Sequence, residues 1–386
     1  MYSSSMSIWI PAPQPPERTI QLLANQLKIG SLWEEFHAQR GGGSLLSFVQ
    51  RRREEIAAQK ERWRRQVEEL WQSEPLIEQE LKPLLRKGRL ERCSLGVNGC
   101  YFLLDKSGNP CWVVKPEEGA MTLNNPVENS SPFRDPAFRM RPFLPPYDTP
   151  IIEYCAYEIA RIAGFSELIP RTLLAIIERK EFYDLSEELE GELRQRFLRM
   201  TGAADREKLC SVQRYLPDAE ELGELVQEWL KRELPEEEMA SLINQESFER
   251  ANLLVWLLFD TDAHSGNFLA LWDEESWQYH IVKVDNGYCL PLRNNDLRNF
   301  LYHLPNADLP LSTALVEKVL FLPVEPIVQL LKSWGLESRV YALRERVRTL
   351  KLALRENPSL SIAALDERIQ QLHNPLISPF LPEALL

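Results

Sequence analysis

The chain has no long apolar run, no clustered cysteine and no excess of positive charge. Its longest purely apolar stretch, Leu253 to Phe259, covers seven residues, against the roughly 20 that a bilayer-spanning helix needs. No basic start followed by an apolar core opens the N-terminus, so no secretory signal is expected. The six cysteines (Cys93, Cys100, Cys111, Cys155, Cys210, Cys289) are scattered without a CxxC pair, and the five histidines never cluster. Those absences exclude a zinc site of ordinary spacing and disfavour a disulfide framework, which leaves a reduced, cytosolic protein as the expectation. Forty-five Lys and Arg against 57 Asp and Glu give a net charge of −12, not the footprint of a general nucleic-acid binder. At 44% hydrophobic and 26% charged residues, the composition is too apolar for a disordered chain. A length of 386 residues accommodates two or three domains of about 100–200 residues, or one large bilobal unit.

Changes of composition mark out the organisation. Residues 1–30 open with serines and then Pro11, Pro13, Pro15 and Pro16, which resist helix formation and read as an extended arm. From Leu45 to about Leu90 the chain turns charged and helical. Val49, Ile56, Trp63 and Leu70 recur every seven residues, with Val67 filling the seam, which predicts one apolar face on a long helix. Segment 51–65 also carries seven basic and three acidic residues. It reads either as a solvated face or as a contact for an anionic membrane or an acidic partner. Gly99 to Leu104 and Cys111 to Lys115 are β-rich runs joined by a turn-forming cluster from Asp105 to Pro110, which predicts a hairpin. Residues 116–150 hold eight prolines and no periodicity, so an insert is expected there. Glu153 to Ala163 reads as a helix ended by Gly164, and Leu173 to Ile177 as a strand. Between Asp218 and Arg250 lie eleven acidic and three basic residues, a net −8 concentrated on a helical stretch. Ser247 is a candidate cap for the helix that contains Leu253 to Phe259, apolar all round and hence buried. Strands are expected at Phe268–Leu271 and at His280–Val284, and residues 310–386 read as mostly helical.

Chemistry concentrates around the second of these strand pairs. Thr261 to Asn267 follows the buried helix and precedes a strand, while Asp285, Asn286 and Gly287 end the partner strand. A hairpin of that shape brings Asp262, Asn267 and Asp285 together. Oxygen ligands from Asn267 and Asp285 suit Mg²⁺ (or Mn²⁺), whose shell phosphate oxygens and water complete. Asp262 would then orient an attacking hydroxyl, the layout of a kinase-type phosphoryl-transfer site. The N-terminal half offers the matching parts. Gly96, Val97, Asn98 and Gly99 form a short GxxG whose missing side chains let backbone amides approach phosphate, though the same pattern serves ordinary turns. Lys115 ends an apolar strand where a phosphate-pairing lysine belongs, and Glu153 begins the helix that would supply its ion-pair partner.

These residues resemble the type II phosphatidylinositol 4-kinase family, in particular its plant branch with ubiquitin-like domains. The similar segments are Gly99–Phe102, Val114–Glu118 with Asn124–Pro126, Glu153 with Ala156 and Tyr157, Pro170–Thr172, Ser211–Leu216, Thr261–Asn267 and Asp285–Pro291. They occur in family order over roughly residues 92–320. The resemblance implies that Lys115 contacts ATP phosphates and pairs with Glu153, and that Gln213, Arg214, Tyr215 and Leu216 form the hinge that hydrogen-bonds adenine. It further implies that Asp262 is the catalytic-loop aspartate and that Asn267 and Asp285 hold the metal. His264 falls where related lipid kinases carry a histidine near the transferred phosphate. Two departures stand out. Ala263 occupies a position where the plant branch has Arg, and the insert lacks the cysteine cluster that animal members use for palmitoyl anchoring. Instead Arg134, Arg139 and Arg141 alternate with Phe133, Phe138, Met140, Phe143 and Leu144, which suits either a reversible interfacial contact over 133–144 or a packed loop.

The expected architecture is a bilobal α+β fold, protein-kinase-like and of the lipid-kinase type. Residues 1–90 would form a flexible arm and helical extension, 91–216 the small lobe with its insert 116–150, and 217–386 a mostly helical large lobe. The expected reaction is metal-dependent transfer of the ATP γ-phosphoryl group to a hydroxyl, in the first place that of a phosphoinositide. A protein Ser/Thr acceptor is the alternative. A nucleotide-binding interaction module and a nucleotidyl transferase also remain open. A cytoplasmic protein with peripheral membrane contact follows from the lipid reading, and an isolated catalytic unit also fits a bacterial protein secreted into a host cytosol.

Overall fold

A computed structural model describes residues 45–93, 99–117, 148–179, 181–182, 191, 207–291, 297 and 299–372. Helix α1 (Leu45–Ser73) opens the described chain. A single π-turn (Ile77–Leu81) and helix α2 (Lys82–Lys87) then lead into the first strand. Strands β1 (Arg89–Arg92), β2 (Tyr101–Leu104), β3 (Pro110–Pro116), β4 (Thr172–Glu178) and β5 (Glu207–Arg214) form one sheet in the order β1-β2-β3-β5-β4, antiparallel throughout. The predicted hairpin is β2–β3; β1, too charged to be legible as a strand, is recruited by pairing Arg92 with Tyr101. At the hairpin tip the Asp105 carboxylate accepts the backbone N–H groups of Ser107 and Asn109, and Gly108 takes the left-handed conformation that closes the turn.

Alternation along these strands sorts the two faces. Trp112, Val114, Leu173, Ala175, Cys210 and Val212 share one buried cluster with Ile77 and Leu81. Leu174 and Leu209 point the other way, into the larger core with helix α3 (Thr149–Ile162). Lys115 pairs with Ser211, and Ser211 with Leu174. Period two therefore puts Lys115 on the face that α3 covers. That helix starts four residues before the predicted Glu153, at Thr149, because Pro150 is tolerated in a first turn.

The second half is built on helix α6. A small sheet, β6 (Ala219–Glu221), β7 (Phe268–Asp273) and β8 (Gln278–Lys283), runs in the order β6-β7-β8. The acidic stretch becomes two helices, α4 (Leu222–Lys231) and α5 (Glu236–Leu242). Helix α6 (Gln245–Leu258) buries eleven residues. Its cap is Asn244, not Ser247: the Asn244 side chain accepts the Ser247 N–H at 2.9 Å, and the Ser247 hydroxyl donates back to the Asn244 carbonyl. Either residue type can cap; Asn244 has the extended backbone that the position requires. Helices α7 (Thr313–Leu320), α8 (Val324–Ser333), α9 (Val340–Glu356) and α10 (Ile362–Leu372) complete the described chain.

Helix α1 does not stand apart as an extension. Trp63 and Val67 of the predicted seam are buried in the main core, and Leu70 packs against it. The Trp63 indole donates to the Trp334 carbonyl at 2.7 Å behind α8, and the Trp71 indole donates to the Leu174 carbonyl at 2.8 Å in β4. The basic face is partly absorbed as well. Lys60 pairs with Glu117, Arg64 with Glu207, and Arg62 and Gln66 donate to the Ser333 carbonyl. An apolar seam cannot bury itself without bringing the flanking cations against its neighbours. Of the four cations in 51–65 whose side chains are described, Lys60, Arg62 and Arg64 thus serve contacts to other elements and Arg65 pairs with Glu61 one turn earlier. The other proposed contact, 133–144, lies outside the described residues.

Candidate active site

Three of the sequence-predicted residues meet in one ion-pair chain. The Lys115 ammonium lies 2.7 Å from Glu153 Oε1 and 3.1 Å from Asp285 Oδ1. Glu153 comes from α3, Lys115 from the end of β3, and Asp285 from the turn after β8, so the contact ties the five-stranded sheet to the α6 half. Glu153 is buried and also accepts the Asn286 backbone N–H. Helix α3 is held at its start by Asp148, whose carboxylate pairs with the buried Arg339; the same guanidinium donates to the Leu290 carbonyl.

One ammonium faces two carboxylates in this chain, and burial and charge shift each of the three groups. Burial would push the Lys115 ammonium down, but Asp285 and Glu153 outweigh it and hold it above the usual lysine range. Burial would raise Asp285; Lys115, with help from Lys283 and His264, keeps its carboxyl below the ordinary carboxylate value. Burial prevails at Glu153, whose carboxyl is raised despite Lys115. Asp285 adopts a left-handed backbone, φ 54°, which is uncommon for a residue other than glycine and costs on the order of 1 kcal/mol.

The loop 260–267 carries the remaining candidates. The Asn267 side-chain amide donates to the Asp262 carbonyl at 2.7 Å, and the Asn267 carbonyl accepts the Val284 N–H at 3.0 Å, one residue before Asp285. The pairing of Phe268 with Lys283 sets this juxtaposition. His264 Nε2 lies 4.0 Å from Asp262 Oδ2, and its Nδ1 accepts the Gly266 N–H at 3.1 Å. Ala263 is fully buried and its carbonyl accepts the Phe300 N–H.

The donor set fits a hard divalent cation. Asn267 has its nitrogen committed to Asp262, which leaves oxygen Oδ1 as the atom a metal would take. Asp285 has two oxygens, so one can hold Lys115 and the other a cation. Among the described residues no group of three or more His, Cys, Asp or Glu side chains forms a ready cage. Mg²⁺ does not need one, because phosphate oxygens and water fill its shell.

The other predicted site residues fare differently. Gly96, Val97 and Asn98 lie outside the described residues, whereas Gly99 is buried just before β2. Gln213 is buried in β5 with its amide on Thr172 Oγ1. The N–H groups of Arg214 and Tyr215 donate to the Arg171 and Cys111 carbonyls. The Arg214 guanidinium lies over Trp112, and Leu216 accepts the Ala219 N–H. Two of the expected hinge amides, those of Arg214 and Tyr215, are thus used within the fold.

Sequence reasoning missed the support beneath the site. Asp260 and Lys283 form an ion pair of 2.5 Å with both side chains at 0% exposure. Asp260 Oδ1 accepts the Asp262 N–H at 2.8 Å, and Lys283 donates to the Val284 carbonyl at 3.1 Å. The pair fixes both strands of the site from below. Its signal was present: an Asp directly after the apolar run Leu253–Phe259, and a lone Lys inside the apolar run Ile281–Val284.

Neither a family model nor a curated protein matches the chain. Among solved structures, the Helicobacter pylori proinflammatory kinase CtkA is similar over 74% of this chain and 97% of its own, at 12% identity and a TM-score of 0.38. That is a distant likeness. The phosphatidylinositol 4-kinase resemblance accordingly rests on the motifs alone.

Proposed function

We propose that this protein is a metal-dependent phosphotransferase that moves the γ-phosphoryl group of ATP to a hydroxyl. The observation that carries the reading is Lys115 bridging Glu153 and Asp285. A lysine held charged between a helix carboxylate and a metal-binding carboxylate is the arrangement that receives nucleotide phosphates. Asp262 would orient the acceptor hydroxyl, Asn267 and Asp285 would hold Mg²⁺ or Mn²⁺, and His264 would stand beside the transferred group. Such a site works by positioning and by neutralising developing charge. Incubation with γ-labelled and α-labelled ATP tests it directly: γ-label should pass to acceptor in the parent and not in Asp285→Ala. Retained transfer in a stably folded Asp285→Ala would refute the assignment, and transfer of α-label would instead indicate nucleotidyl chemistry.

The acceptor proposed first is a phosphoinositide, on the motif resemblance. A protein hydroxyl is favoured by a different observation. Lys60, Arg62 and Arg64, part of the cationic face that reads as either solvated or a membrane contact, are engaged within the fold. Parallel assays with phosphoinositide vesicles and with a protein mixture separate the two.

A further inference from the structure

Two cysteines sit opposite each other at the rim of this site. The β1–β2 register, Arg89 with Leu104 through Arg92 with Tyr101, continues by one step to place Cys93 across from Cys100. The Cys93 N–H donates to the Cys100 carbonyl at 2.8 Å. Directly opposed residues of an antiparallel pair that share such a bond have Cα atoms about 5.5 Å apart, inside the range that a disulfide spans. Their thiols also hydrogen-bond to each other. Both residues are in the thiol form and neither is fully buried. The β2–β3 register, Tyr101 with Val114, continues by one step to set Cys100 across from Lys115, so the pair borders the ion-pair chain rather than some remote surface. Cys155, Cys210 and Cys289, by contrast, are buried singly in apolar surroundings.

We propose that Cys93 and Cys100 form a reversible disulfide that weakens nucleotide binding at Lys115. The oxidant is a hydroperoxide. The Cys93 thiolate attacks the peroxide oxygen and becomes a sulfenic acid, releasing water or an alcohol; Cys100, whose thiol is held up by its hydrogen bond with Cys93 and by burial, is the resolving partner. The second thiol displaces that hydroxyl as water and closes the S–S bond. Two electrons leave the sulfur pair and reduce one peroxide, and a dithiol reverses the step by exchange. The bond fixes the β1 and β2 ends beside Lys115 in one geometry. This second half rests on the phosphotransferase reading; the bond itself does not.

Cys93 and Cys100 fall in one tryptic peptide, Cys93 to Lys106, because no Lys or Arg lies between them. The full-length protein is treated with stoichiometric hydrogen peroxide, alkylated, digested and weighed. The expected product is this peptide short of two hydrogens and resistant to alkylation, restored by dithiothreitol. ATP affinity, measured by titration in both states, is expected to fall by roughly tenfold on oxidation, comparable to losing one charge-assisted hydrogen bond. Cys93→Ser should bind ATP like the reduced parent and ignore peroxide. Recovery of the doubly alkylated peptide after oxidation overturns the proposal, as does unchanged ATP affinity with the bond formed. If neither redox state binds ATP, the phosphotransferase reading fails, and the peptide mass still decides whether the bond exists.

Discussion

Replacing Lys283 with Met tests whether the buried pair under the site is structural support. Both partners are wholly inaccessible and 2.5 Å apart, so Lys283→Met leaves the Asp260 carboxylate charged, buried and without its cation. Breaking a pair of this kind costs about 3–5 kcal/mol, a large share of the ~5–15 kcal/mol that holds a folded protein together. Adding Asp260→Asn removes the stranded charge while keeping an oxygen to accept the Asp262 N–H. The double variant should therefore be no less stable than Lys283→Met alone, with a coupling of roughly 2 kcal/mol. Urea unfolding of the four proteins measures this, with m-values compared to verify that only stability has changed. The pH dependence has a definite sign. Asp260 outweighs burial and holds the Lys283 ammonium above its ordinary value. A raised lysine contributes fully below its unfolded pKa of about 10.4 and loses that contribution as pH rises through the folded value. The deficit of Lys283→Met should then stay flat from neutral pH up to about pH 10 and shrink only above it. A single-variant loss below about 1 kcal/mol, or a double variant that loses the sum of both singles, would refute the reasoning.

Other consequences follow from the same geometry. Glu153→Gln keeps the size of the side chain but removes the charge that positions Lys115, so turnover in the γ-label assay should drop by roughly 10²-fold while melting temperature changes little. Asp285 has a depressed carboxyl, so its contact with Lys115 is fully present above the unfolded value near 3.9 and is lost only as pH falls below it; the stability difference between parent and Asp285→Asn should be constant across about pH 5–8 in thermal melts. Trp63→Phe strips the indole donor from the buried Trp334 carbonyl and should cost about 1–3 kcal/mol in urea unfolding. Asn244→Ala removes the α6 cap and should cost ~1 kcal/mol, whereas Ser247→Ala removes only the return bond and should cost less by the same measurement.

Local patterns alone determined a good deal of this protein. Period-two and period-3.6 spacing is a short-range property, so the β2–β3 hairpin, helix α3, the buried α6 and the β7–β8 pair were legible, as was the seam of Trp63, Val67 and Leu70. Lys115, Glu153, Asp262, Asn267 and Asp285 stood out as candidates because each follows or precedes one of those elements at a characteristic offset. Helix α1 behaved otherwise. Its cations look solvated when the helix is read by itself; whether they meet water, lipid or protein depends on what stands opposite, and Glu207, Glu117 and the end of α8 are 57 to 271 residues away along the chain. The pairing of Lys115 with Glu153, 38 residues on, was expected from the sequence; tertiary structure alone decided that Asp285, 170 residues from Lys115, converges on the same ammonium. It alone revealed that Asp260 and Lys283 neutralise each other in the core. A charge buried without its partner is ruinous and with it is support, and no window of neighbouring residues contains both halves of such a pair.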